Sequence, residues 1–131
     1  QPGQDGHCRM STVVGVGIDL VDVDRFAATL ARRPSLVGRL FTEREVLDAA
    51  GRPERLAARF AAKEAVMKVM GCGLGSMAFS SIEVQRAESG APQLRLYDRA
   101  ASLASERQIA TWQLSLTHTD RTAGAVALGL S

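Results

Sequence analysis

Two acids stand out by their surroundings. Asp19 lies in VVGVGIDLVDV (13–23), beside Ile18, Leu20 and Val21, and Glu64 lies in the alanine-rich LAARFAAKEAVMKVM (56–70). A carboxylate among apolar neighbours is costly to desolvate unless a cation or hydrogen-bond donors compensate. Two such acids brought together repel and raise one pKa, unless a divalent cation neutralises both. An oxygen-only donor set suits Mg²⁺, which takes one or two protein carboxylates and completes its shell with water and substrate phosphate. That chemistry implies a phosphate-bearing substrate. The residues alone support an equally simple account, in which Glu64 pairs with Lys68 at i, i+4 and Asp19 satisfies a local turn.

Lysine usage bears on the choice. The chain has 14 arginines and only two lysines, Lys63 and Lys68, both beside Glu64. Where arginine is the default cation, a lysine supplies a compact ammonium that meets a phosphate as a point charge or donates a proton to a leaving group. The run GCGLGS (71–76) follows directly, and its glycines let backbone N–H groups approach an anion. It also stands at a helix C-terminus, where the dipole disfavours anions and a glycine cap is the plainer account. His118 ends TWQLSLTH as a lone imidazole, with no triad order around it. His7 and Cys8 offer two ligand types and no metal site.

Around these residues the pattern predicts the elements that must hold them. The β-branched run 13–23 reads as a half-buried strand containing Asp19, and Asp22 or Asp24 caps a helix running to about Arg33 and ended by Pro34. Thr42 and Glu45 form a capping box for a helix over 43–50, with Phe41 and Val46 placed for a hydrophobic staple and Gly51 and Pro53 as its stop. The stretch 56–70 reads as the principal helix, apolar nearly all round and therefore buried. Strands at 81–87 and 93–97 form a hairpin through Gly90, Asp98 caps a helix to about Gln108, and 111–118 with 123–130 form a second hairpin. Trp112 and Tyr97 read as core or interface residues. The order is strand, helices, then β-β-α-β-β, an α+β domain with an antiparallel sheet packed on a long buried helix.

Composition sets the outer bounds. With 131 residues and 46% hydrophobic content the chain reads as one domain over 12–131, preceded by a flexible extension over 1–11. No apolar run reaches the length of a membrane span, because Arg59, Lys63, Glu64 and Lys68 interrupt the best candidate. A net charge of +2 is too small for nucleic-acid binding by charge alone. Two cysteines without CxxC argue against a disulfide framework, and the polar N-terminus does not read as a signal peptide, so a cytoplasmic protein is expected. Between Arg25 and Arg59 eight arginines face four acids, a positive face on which an acidic partner docks or which is simply solvated.

Taken in order, VGVGIDLV, ARFAAKEAVMK about 40 residues later and the late SLTHT resemble the holo-acyl-carrier-protein synthase family, the small type of 4′-phosphopantetheinyl transferase. The similarity spans about 13–130, with Phe60 where many relatives carry tryptophan. The resemblance implies the 4′-phosphopantetheinyl transferase fold and transfer of 4′-phosphopantetheine from coenzyme A to a serine of an apo acyl carrier protein, releasing adenosine 3′,5′-bisphosphate. It makes Asp19 and Glu64 ligands of Mg²⁺, with Mn²⁺ as a substitute, and places Lys68 at the phosphates as leaving-group stabiliser. It assigns Arg59, Lys63, Lys68, Gly71, Gly73, Gly75, His118 and Thr119 to the coenzyme pocket. Arg25, Arg32, Arg33 and Leu36 match the surface that docks the acidic carrier. Members are commonly homotrimers with pockets at subunit boundaries, a contact that strand edges and Trp112 would supply. The general base is open between Glu64, a bound water and a carrier aspartate, and the carrier's pathway, fatty-acid, polyketide or peptide, is equally open. Two rival functions stand beside this one: a Mg²⁺-dependent pyrophosphohydrolase, which lacks its dense run of glutamates here, and a non-catalytic carrier-binding module.

Overall fold

The chain is described by a computed structural model over residues 11–73 and 75–131. Residues 1–10 of the expected extension, His7 and Cys8 among them, and Leu74 lie outside the described residues. The elements run β1 (Val13–Asp22), α1 (Val23–Arg32), α2 (Ser35–Leu40), α3 (Glu43–Ala49), α4 (Pro53–Met70), a short 3₁₀ turn (Phe79–Ser81), β2 (Ile82–Arg86), β3 (Pro92–Leu96), α5 (Asp98–Glu106), β4 (Thr111–His118) and β5 (Thr122–Leu130). β1, β5 and β4 form an antiparallel sheet in that order, and β2 pairs with β3 as a separate antiparallel hairpin. The α+β class is as read from the sequence, with the strands divided between two hydrogen-bonded sheets.

α4 lies across β1, β5 and β4, and small residues on both sides let it lie close. Its buried face carries Ala57, Ala58, Ala61, Ala62 and Ala65, and the sheet answers with Ala123, Ala125 and Ala127. Gly17 marks the tightest approach: a Cβ there would stand 2.0 Å from the Ala65 carbonyl oxygen. Larger side chains, Val66, Met67 and Met70, fill the core around Ile82, Leu103 and Ile109, where burial stabilises by ~1.5–3 kcal/mol per large side chain.

Several local signals act as expected. The Asp22 side chain caps α1 by accepting from Arg25 N, and Thr42 and Glu45 form the reciprocal capping box of α3. Others differ. Pro34 closes α1 and also stands at the N-cap of α2, an element absent from the sequence reading. Pro53 occupies the first turn of α4 and lengthens it, because the helix start does not need the missing N–H. Asp98 does not cap α5: Tyr97 is the N-cap, without a side-chain bond, and Asp98 itself has φ 48°. The staple is not formed as expected either. Phe41 is buried edge-on to Phe26, whereas Val46 is exposed. Trp112, read as core or interface, is partly buried and packs against the core with Leu114.

Candidate active site

The close contact at Gly17 brings two acids together. Asp19 is two residues further along β1 on the same face, and Glu64 adjoins Ala65, so a helix pressed onto Gly17 sets Glu64 within hydrogen-bonding reach of Asp19. Burial first, then the hydrogen bond and charge of Asp19, push the Glu64 carboxyl up to about 7, while Lys68 pulls it down. Lys68 stands one turn after Glu64. Its ammonium donates to Asp19 Oδ1 at 3.1 Å and to the Ile18 carbonyl at 2.8 Å, and its side chain is 56% exposed. A cation thus already neighbours the acid pair, held loosely enough to exchange.

Two concavities open from Glu64. A small one of about 180 Å³ is lined by Glu64, Met67, Lys68, Cys72 and Gly73. Gly71 takes the left-handed helix cap at φ 68°, closing α4 with bonds from Gly71 N to Lys68 O and from Cys72 N to Met67 O. Beyond this cap Gly73 lines the small concavity together with Lys68. Gly75, at φ 87°, lies in the turn beyond. The second concavity, about 500 Å³ and mostly apolar, runs past Leu20, Arg25, Leu36, Phe60 and Phe79 to Glu64. Arg25 and Leu36, expected at a docking surface, are therefore on the wall of a cleft leading to the acid pair. Arg32 and Arg33 are exposed at the end of α1 and do not line it.

The remaining expected pocket residues lie elsewhere. Arg59 and Glu64 are five residues apart on α4, which puts them about 140° apart around the axis. Arg59 accordingly lines a third pocket of about 310 Å³, together with Arg55, Arg86 and His118. It is buried, its Nε finds no hydrogen-bond partner among the described residues, and burial draws its pKa down against the opposing charge of Asp48. Arg55, Arg59 and Arg86 give this pocket a positive lining, which suits an anion. Arg55 is read from the sequence only as part of the positive face and Arg86 is not singled out there, since nothing in the spacing of α4 and β2 brings them together.

Two of the expected pocket residues have other partners in this fold. Lys63 does not face any of these pockets: its side chain is fully buried, and its ammonium donates to Glu45 Oε1 at 2.8 Å, to the Phe79 carbonyl at 2.9 Å and to the Ile82 carbonyl. An ammonium has three donors, so none is left for a coenzyme phosphate. Thr119 is engaged in its own hairpin, where its hydroxyl accepts from Arg121 N and Thr122 N. Among the described residues no group of three or more metal-ligating side chains occurs, so any ion here rests on the acid pair plus water or substrate oxygen.

The fold and the site can be set beside known proteins. The sequence profile of the 4′-phosphopantetheinyl transferase superfamily matches residues 15–126. A holo-[acyl-carrier-protein] synthase of Frankia alni is 52% identical over 118 residues, covering 90% of this chain and 94% of that one. The solved acyl carrier protein synthase of Mycobacterium tuberculosis superposes with a TM-score of 0.72 at 38% identity, over 92% of this chain and 98% of that one. The holo-(acyl-carrier-protein) synthase of Bacillus anthracis, solved in complex with CoA (3′,5′-ADP), gives 0.75 at 30% identity, over 93% and 99%.

Proposed function

The chain belongs to the 4′-phosphopantetheinyl transferase superfamily and moves 4′-phosphopantetheine from coenzyme A to an apo acyl carrier protein; we propose that it does so at the Asp19 and Glu64 pair. The observation that carries this reading is the joining of those two carboxyls across the Gly17 contact, with Lys68 beside them. Two neighbouring acids, one with its pKa raised by burial first and then by the other, are a fit for a hard divalent cation. Asp19 and Glu64 would hold Mg²⁺, or Mn²⁺ in its place, and the ion would supply charge neutralisation at the pyrophosphate. Lys68 turns its ammonium from Asp19 to the phosphates and stabilises the departing adenosine 3′,5′-bisphosphate. The apolar cleft, flanked by Arg25 and Leu36, receives the acidic carrier so that its serine reaches Glu64, with Arg32 and Arg33 extending the positive surface.

A single copy holds the parts of a coenzyme site on two faces of α4. Glu64, Lys68 and Gly73 are on one, Arg59 and His118 on the other. Two copies in contact would join these faces into one pocket. A surface for such contact exists: Val16, Ile18 and Leu20 are 60%, 59% and 70% exposed on the outer face of β1, in register with Leu128, Val126 and Gly124 of β5. Apolar rows of this kind mark association surfaces, and we read the assembly as a homotrimer. The test of function is intact-mass measurement of an apo carrier incubated with the chain, coenzyme A and Mg²⁺. Transfer adds the phosphopantetheine mass to the carrier, a pyrophosphohydrolase leaves the carrier unchanged while splitting the coenzyme, and a binding module does neither.

A further inference from the structure

The buried ion pair of Lys63 and Glu45 has no part in the transfer described above, yet it occupies the residue next to Glu64. Its bonds converge on one place. Lys63 holds the carbonyls of Phe79 and Ile82, at either end of the short 3₁₀ turn, and Glu45 accepts from Thr42 N and Lys63 on Oε1 and from Val84 N on Oε2. Thr42 in turn donates its hydroxyl to Glu83 at 2.6 Å. One cluster thus ties the start of α3, the middle of α4, the turn and β2.

The turn matters because of what Phe79 does beyond its carbonyl. Its ring stacks on Phe60 at 5.4 Å, Phe60 meets Phe26 at 5.0 Å, and Phe60 and Phe79 are walls of the apolar cleft that ends at Glu64. Residues 71–73 and 75–78, which lead into the turn, have no helix or strand. Met77 is buried in the core just before the turn, and the ammonium of Lys63 then fixes the main chain at Phe79 itself.

We infer that Lys63, paired with Glu45, is a positioning residue that fixes Phe79 as the wall of the carrier-side cleft beside Glu64, and that it sets acceptor binding without touching the coenzyme. This rests on the transfer reading above and specifies one part of it. Replacing Lys63 alone would strand a buried carboxylate, which is strongly destabilising, so the informative variant is the neutral double replacement Lys63→Met with Glu45→Gln. Phe79→Ala removes the wall and leaves the ion pair intact. Steady-state kinetics with apo carrier and coenzyme A varied in turn should show the KM for the carrier raised about fivefold or more in both variants, with that for coenzyme A within about twofold of the parent. Hydrogen exchange should quicken across 77–82 in the double variant. An unchanged carrier KM in Phe79→Ala, or a coenzyme KM that rises as much as the carrier KM in the double variant, overturns the inference. Absence of carrier modification by the parent chain would instead overturn the transfer reading itself.

Discussion

At the scale of single residues the site is governed by a proton and an ammonium competing for two carboxyls. Glu64 carries a pKa raised from 4.5 to about 7 by its burial and by Asp19. Between those values the folded chain holds a proton that the unfolded chain has released. Its contribution to stability is therefore full below about pH 4.5 and is lost as the pH rises towards about 7. A metal ion has to displace the same proton. Titration with Mn²⁺, followed by electron paramagnetic resonance, should show affinity falling roughly tenfold per unit as the pH drops below about 7 and levelling off above it. Lys68 competes in the same way, through its contact with Asp19 Oδ1 at 3.1 Å. Lys68→Met should bind Mn²⁺ more tightly than the parent while transferring far more slowly, a separation that an ammonium serving only the phosphates would not give. The two acids and this lysine were visible in the sequence as misfits among apolar residues. The fate of Lys63 was not, because only the fold brings Glu45 and two carbonyls to its ammonium.

At the scale of elements, the decisive contact is that of α4 with β1. The alternation of 13–23 and the alanines of 56–70 were enough to predict a strand and a buried helix. Neither says how closely the two approach. That distance is set by Gly17, whose missing side chain the Ala65 carbonyl requires. A glycine inside a strand signals close backbone approach, but the sequence does not name the backbone that approaches. Gly17→Ala should cost ~3 kcal/mol or more, since the backbone must shift to admit the methyl group. It should also weaken Mn²⁺ binding by separating Asp19 from Glu64, as checked by urea denaturation and the same titration. The helix caps were legible because their bonds are local: Thr42 and Glu45 are three residues apart. Asp98 misled because the same cue, an acid before an apolar run, is met there by a residue already inside the helix with positive φ. α2 escaped notice because six residues between a proline and a capping box are too few to show a period.

At the scale of the molecule, composition and fold leave two surfaces with opposite characters. The outer face of β1 and β5 is apolar, and the far side of α4 gathers Arg55, Arg59, Arg86 and His118. In the proposed assembly the first would join copies and the second would complete a neighbour's coenzyme site. Ile18→Glu places a charge at the centre of the apolar face while leaving the inward-facing Asp19 in place. By light scattering after size exclusion this variant should be a monomer, and it should lose coenzyme binding although each monomer still binds Mn²⁺. The ordered motifs made the family resemblance legible, but that Arg59 and His118 line a different concavity from Glu64 and Lys68 emerged only from the fold. The claim on which all of this depends is that Asp19 and Glu64 hold one ion jointly. Mn²⁺ titration of the parent chain, Asp19→Asn and Glu64→Gln tests it most directly. The account predicts one ion per chain in the parent and loss of binding in both variants with the fold retained; parent-like affinity in either variant would contradict it.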